Sequence, residues 1–220
     1  MYSLSEENYL KAIFQLERNA NEGVSTNAIA EKMETKASSV TDMIKRLSEK
    51  KLVSYRKYKG VKLSALGKDT AVQIIRKHRL WEVFLVDQLN FSWDEVHEVA
   101  EQLEHIKSKK LIKELDKFLD YPTMDPHGDP IPDENGNIIV ANKLLLNEIN
   151  PGKTTVCVGV KDTSTDFLKY LDKNNIALGK TIHIQEKEAF DESMLISIDQ
   201  QELRISKLVS SNIYVKEQNQ

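Results

Sequence analysis

Two short apolar stripes joined by a tight polar turn, followed at once by a basic hairpin, limit what the first third of this chain can become. Ile29, Ala30 and Met33 recur at helical spacing, and after Glu34-Thr35-Lys36 so do Val40, Met43, Ile44 and Leu47. Two brief amphipathic helices meeting across so short a connection predict a helix-turn-helix. The stretch Lys50-Lys51-Leu52-Val53-Ser54-Tyr55-Arg56-Lys57-Tyr58-Lys59-Gly60-Val61-Lys62-Leu63 follows, and its β-branched and aromatic residues around Gly60 predict a two-stranded wing. An amphipathic helix over residues 5–18 precedes the unit, with Tyr9, Leu10, Ile13, Phe14 and Leu16 as its apolar positions and Ser5 read as its cap.

Charge separates this segment from the rest. The chain of 220 residues has a formal net charge of -3, yet from Lys45 to Lys68 it holds nine basic residues against one acid, Glu49. A basic patch inside an acidic protein points to a polyanionic partner for that segment, against the plainer reading of a solvated lysine-rich surface. The second helix sets Ser38, Ser39, Thr41, Asp42 and Lys45 opposite its apolar stripe. Small polar side chains there permit close approach to phosphates and base edges, while Lys45, Arg46 and the wing residues Arg56, Lys57 and Lys59 hold the phosphate backbone. Ser38 serves equally well as a helix cap. Residues 1–70 are expected to bind double-stranded DNA.

No apolar run approaches the length of a membrane span, and residues 1–7 lack the basic and apolar regions of a signal peptide, so a cytoplasmic protein without membrane contact is expected. Cys157 is the single cysteine, so a bound metal must be held by oxygen and nitrogen. Two long apolar helices are expected over residues 65–89 and 93–119. They carry more apolar surface than a winged helix needs, and the surplus predicts a homodimer whose two recognition helices read a palindromic operator. Trp81 and Phe84 read as packing residues.

These helices also carry the densest metal-ligating chemistry. His97, Glu101, Glu104 and His105 fall three, four and seven residues apart, as one stripe, and His78 with Glu82 forms another. Imidazole and carboxylate from two helices suit manganese or ferrous iron. Salt-bridged helix charges are the plain alternative, although Glu101 and Glu104 as like charges on one face call for a countercharge. His97-Glu98-x-x-Glu101 is similar to the zinc-protease motif His-Glu-x-x-His, with Glu101 in place of the second histidine, which keeps a metallohydrolase open as an alternative.

Four of the five prolines lie within residues 121–137, marking a boundary. Residues 141–148 read as a short helix. Beyond Pro151-Gly152 the texture changes to short alternating strands at residues 153–159, 181–185, 195–198, 202–205 and 213–215, with a helix over 166–174.

Taken together, Tyr9-Leu10-Lys11-Ala12-Ile13, Ser38-Ser39-Val40-Thr41, Arg76-Lys77-His78-Arg79-Leu80-Trp81-Glu82-Val83-Phe84-Leu85, Glu101-x-x-Glu104-His105 and Pro126-His127-Gly128-x-Pro130-Ile131-Pro132 resemble the diphtheria toxin repressor family of metal-dependent transcription repressors. The resemblance implies a first metal site at Asn8, Glu101, Glu104 and His105. Glu101 follows the manganese-responsive branch, where iron-responsive members carry cysteine; Asn8 matches neither the methionine of one branch nor the aspartate of the other. A second site is implied either at His78, Glu82 and His97 or at Glu82, Asp125, His127 and Asp162. The resemblance further implies a small C-terminal β-barrel of the Src-homology-3 type. The expected architecture is therefore mainly α: a winged helix-turn-helix at 1–70, a helical metal-binding and dimerisation domain at 71–140, a linker at 141–150 and the barrel at 151–220. The expected function is a repressor of metal homeostasis, not an enzyme, with Mn2+ as cofactor and Fe2+ as alternative; a winged-helix repressor sensing a non-metal ligand is the other reading.

Overall fold

The helix-turn-helix forms because each of its pieces is locally specified. In the computed structural model, which describes residues 2–17, 22–56, 59–139 and 142–218, α2 (Thr26–Lys32) begins where the Ser25 hydroxyl accepts a hydrogen bond from the Ala28 amide at 3.1 Å. The turn that follows places Glu34 at φ 48, a left-handed conformation that redirects the chain. The second helix of the unit, α3 (Ala37–Glu49), then buries Val40, Ile44 and Leu47, spaced four and three residues apart, and leaves its other side to solvent. Its N-cap is Lys36, so Ser38 lies inside the first turn and is not the cap. In α1 (Leu4–Glu17) the capping serine is Ser3 rather than Ser5: the Ser3 hydroxyl accepts from the Glu6 amide at 3.2 Å while the Glu6 carboxylate accepts from the Ser3 amide at 3.0 Å. Arg18 lies outside the described residues.

The wing is the antiparallel pair β1 (Val53–Arg56) and β2 (Gly60–Leu63), with Val53 opposite Leu63 and Arg56 opposite Gly60. Val24 adds a bridge to Val61 through reciprocal backbone bonds of 2.9 and 2.8 Å. Leu10, Ile13, Ile29, Val40, Leu47, Leu52 and Val61 close one core beneath helices and wing.

α4 (Ala65–Leu89) is one long helix, as its apolar spacing predicts. The next stretch departs from expectation. In place of one helix over 93–119 there are α5 (Val96–Leu103) and α6 (Lys109–Phe118). After Leu103 the backbone tightens, the Ile106 amide bonding the Leu103 carbonyl at 3.1 Å, and Ser108 restarts the helix by accepting from the Leu111 amide at 3.3 Å. Glu104 and His105 consequently occupy a turn, while His97 and Glu101 remain helical.

By their contacts the residues fall into two compact units, one of 1–81, 101–114 and 132–138, the other of 82–100, 115–131 and 139–220. The second is built on a six-stranded antiparallel sheet: β3 (Leu144–Leu145), β4 (Thr154–Val160), β5 (Thr181–Lys187), β6 (Met194–Ile198), β7 (Gln201–Ile205) and β8 (Ile213–Glu217), in the spatial order β3-β8-β4-β5-β6-β7. The expected barrel is thus corrected to an open sheet, since the end strands β3 and β7 do not pair. Two residues of β3 offer too short a ladder to close a cylinder. The inner face is covered instead by α7 (Thr165–Lys173), through Leu168 and Leu171, and by Leu146, Ile149, Ile176 and Val209, the last from the short α8 (Lys207–Ser210). Of the helix expected over 141–148, residue 141 lies outside the described residues and 142–148 do not form it: Leu144 and Leu145 pair with Val215 and Tyr214 of β8, and a single 3-10 turn (Leu146–Glu148) follows. Among the described residues no helix is long and apolar enough to cross a membrane.

Candidate metal centres and nucleic-acid interface

α3 and the wing present the residues singled out for DNA. Ser38, Ser39, Thr41, Asp42, Lys45 and Arg46 are all exposed on α3, as are Arg56 on β1 and Lys59 in the wing turn. Lys57 lies outside the described residues. Burial of Val40, Ile44 and Leu47 fixes which side of the helix faces outward, so the polar face is a consequence of core packing. Lys50, also in the basic segment, is exposed but engaged within the chain, donating to both Glu6 carboxylate oxygens at 2.6 and 2.9 Å.

One group of potential ligands lies wholly in the second unit. Ligand atoms of Glu82, Asp125 and His127 approach within 4.8 Å of one another, and all three residues are buried, at 2%, 7% and 3% exposure. Each is held by a local device. Asp125 Oδ1 accepts from the amides of His127 and Asp129, both at 2.9 Å, which shapes the proline-rich turn around the carboxylate. His127 Nε2 donates to the Trp93 carbonyl at 2.8 Å and its ring stacks on the Trp93 indole, leaving Nδ1 3.6 Å from Glu82 Oε1. A histidine fixed through one nitrogen by a carbonyl presents the other to a metal. Gly128, at φ +80, lies so close to β4 that a Cβ there would stand 2.1 Å from the Val158 carbonyl oxygen, and the Val160 amide bonds the His127 carbonyl at 2.9 Å. The turn is therefore seated on the bulge in β4 beside Gly159.

The electrostatics of this group follow from its burial. Burial alone would lower the His127 pKa, but the Glu82 carboxylate and then Asp125 outweigh it and push it up to about 9. The group combines two carboxylates with one imidazole, an oxygen and nitrogen donor set of the kind that suits a divalent cation.

The other second-site candidates divide. His97 Nδ1 lies 3.4 Å from Glu82 Oε1 and is more exposed than the rest. His78 sits one helical turn before Glu82 on α4. Asp162 is not in the group; its Oδ1 accepts from the Ser164 amide at 2.8 Å, ahead of α7.

The implied first site is arranged differently from its expectation. Asn8 is exposed, and it is Glu7 and Lys11 of α1 that are buried. His105 Nδ1 donates to Glu7 Oε2 at 2.7 Å, leaving Nε2 3.9 Å from Glu104 Oε1. Glu104, 1% exposed, receives Lys11 Nζ at 2.7 Å and His78 Nδ1 at 2.7 Å, and Lys11 Nζ also lies 3.4 Å from Glu101 Oε1. Burial acts to raise the Glu104 pKa, but the His78 hydrogen bond and the Lys11 charge more than offset it and hold it below the ordinary carboxylate value. Glu101, Glu104 and His105 have the donor chemistry for a metal, and an ammonium group stands among them. Sequence reasoning missed Glu7 and Lys11. The available signal was their four-residue spacing beside Leu10 on the apolar side of α1, which turns Asn8 outward.

Comparison with known proteins places the chain in a family. Residues 1–61 match the family model described as iron dependent repressor, N-terminal DNA binding domain, residues 64–133 that of the iron dependent repressor, metal binding and dimerisation domain, and residues 144–217 that of the FeoA domain. The iron-dependent repressor IdeR of Mycobacterium leprae is 36% identical over 128 residues, 57% of this chain and 54% of IdeR. The diphtheria toxin repressor of Corynebacterium diphtheriae is 33% identical over 128 residues, 57% of this chain and 55% of that protein. The matched stretch spans about half the length of these curated relatives. Among solved structures, a manganese-dependent transcriptional repressor in complex with manganese is similar with a TM-score of 0.86 and 30% identity, over 97% of this chain and 100% of that one. The manganese regulator SloR is similar with a TM-score of 0.77 and 36% identity, over 97% and 98%. Matched from the winged helix through the C-terminal sheet, the chain belongs to the diphtheria toxin repressor family of metal-dependent transcriptional repressors.

Proposed function

We propose that this chain is a repressor of metal homeostasis that binds double-stranded operator DNA as a homodimer in the cytoplasm, in response to Mn2+ in preference to Fe2+. The observation that carries the reading is the buried group Glu82, Asp125 and His127, a carboxylate and imidazole donor set in a chain whose α3 turns a polar and basic face outward. A bound divalent ion would take the place of the proton on His127 Nδ1. Glu82, Asp125 and His127 would hold it, with His97 beside Glu82. Carboxylate and imidazole without thiolate favour manganese, as does Glu101 where iron-responsive members carry cysteine. The similar repressor solved with manganese supports the same preference. The matched models are those of a repressor rather than an enzyme.

Division of labour follows the sequence reading: residues 1–70 for DNA, 71–140 for metal and dimerisation, 141–150 as connection, 151–220 as the sheet domain. Exposed Leu89, Phe118 and Tyr121 in the second unit supply apolar surface for a second copy. Ordering the helices around metal lowers the reorganisation needed on docking to DNA.

The test is a gel-shift titration of operator fragments with MnCl2, with ferrous iron under anaerobic conditions, and with chelator. Operator affinity is expected to rise with either metal, at lower concentration for manganese. Equal affinity in all conditions would sink the metal reading and favour a winged-helix repressor responsive to a non-metal ligand.

A further inference from the structure

Lys11 is not where a surface lysine belongs. It is 8% exposed, on the inward side of α1, and its ammonium donates to Glu104 at 2.7 Å, approaches Glu101 at 3.4 Å and lies 3.3 Å from His78 Nδ1. Glu101 and Glu104 are among the groups that would surround a cation at the first metal site. We propose that the Lys11 ammonium is the resident counter-cation of this site, and that a divalent metal occupies it only by displacing Lys11 from Glu104, so that Lys11 sets the metal concentration at which the site fills. The inference rests on the metal-repressor reading above.

Glu104 is 1% exposed, and a carboxylate so buried requires a positive partner. Lys11 supplies it from the same chain. A divalent ion bound to Glu104 would lie within a few ångströms of that ammonium, where two cations repel strongly in a low-dielectric interior. One must leave. Lysine is suited to leaving, being a point charge on a flexible four-carbon stem. The remaining donors are already oriented for the exchange. Glu7 fixes His105 through Nδ1, which leaves Nε2 on the side of Glu104. Asn8, exposed and neutral, adds no charge to the contest. The site is therefore a competition between an internal monovalent cation and an external divalent one.

The experiment measures Mn2+ binding to the full chain directly, by electron paramagnetic resonance of free Mn2+, in wild type, Lys11→Met and Lys11→Arg. Lys11→Met is expected to tighten one class of site by about tenfold or more, and Lys11→Arg, which keeps the charge, to leave it weak. Unchanged or weaker binding in Lys11→Met would overturn the proposal, as would equal tightening by both substitutions. A second measurement needs no variant: amine acetylation of the wild type, resolved by peptide mass spectrometry. Lys11 is expected to be protected without Mn2+ and reactive at saturating Mn2+; equal labelling in the two states would also overturn it. Neither measurement uses DNA, so failure of metal-responsive operator binding would count against the proposed function and leave this inference standing on its own result.

Discussion

His127 shows how one side chain reports on the state of its site. With its pKa pushed up to about 9 by Glu82 and Asp125 against the opposing effect of burial, the folded protein holds a proton that the unfolded chain releases near the ordinary histidine value of 6.5. A raised histidine pKa stabilises the fold fully below pH 6.5, and that stabilisation is lost as pH rises through 9. In chelator-treated protein the thermal midpoint is expected to fall by several degrees across this window, and His127→Gln to flatten the fall, as followed by circular dichroism. A midpoint independent of pH from 6.5 to 9 would contradict the assigned protonation. The sequence made His127, Asp125 and Glu82 visible as ligand types. It did not make Lys11 visible, because a lysine on a helix reads as solvated until the depth of its position is known. Asn8 is the converse case: its position in the chain fits the family pattern, and the helical rotation that buries Glu7 leaves it exposed.

At the scale of elements, legibility tracked locality. The helix-turn-helix was readable because Ile29, Val40, Ile44 and Leu47 repeat within a few residues of each other and Ser25 marks a start. The strands from β4 to β8 were readable from alternation, but their closure was not, since pairing between the first and last strands of a sheet leaves no local mark. The break after Leu103 was hidden because Ile106, Leu111 and Ile112 continue an apolar pattern across it, and Ser108 alone signals the restart. The wing makes its own prediction. Arg56 is exposed at the end of β1 and fits a phosphate contact rather than a base contact. Arg56→Ala is expected to weaken operator and unrelated DNA alike and to reduce the salt slope of binding by about 1; fluorescence anisotropy over a salt series checks it, and a loss confined to the operator would speak against it.

For the whole molecule, the proposed link between metal and DNA carries a thermodynamic obligation. If metal tightens operator binding, the operator must tighten metal binding by the same factor, with a coupling of about 1–3 kcal/mol in typical cases. Mn2+ titrated by calorimetry with and without a saturating operator duplex is expected to give that factor, matching the one from gel shifts; a mismatch would mean that the two ligands do not select the same state. The seat of Gly128 on β4 bears on which ions enter such a cycle. A turn whose backbone already lies at closest approach to the Val158 carbonyl, and whose carboxylate is tied to two of its own amides, has little room to move toward a smaller ion. Were Glu82, Asp125 and His127 to hold a divalent ion, the sheet domain would thereby act as a gauge of ionic radius, its fixed seat for the turn favouring ions of one size over smaller ones.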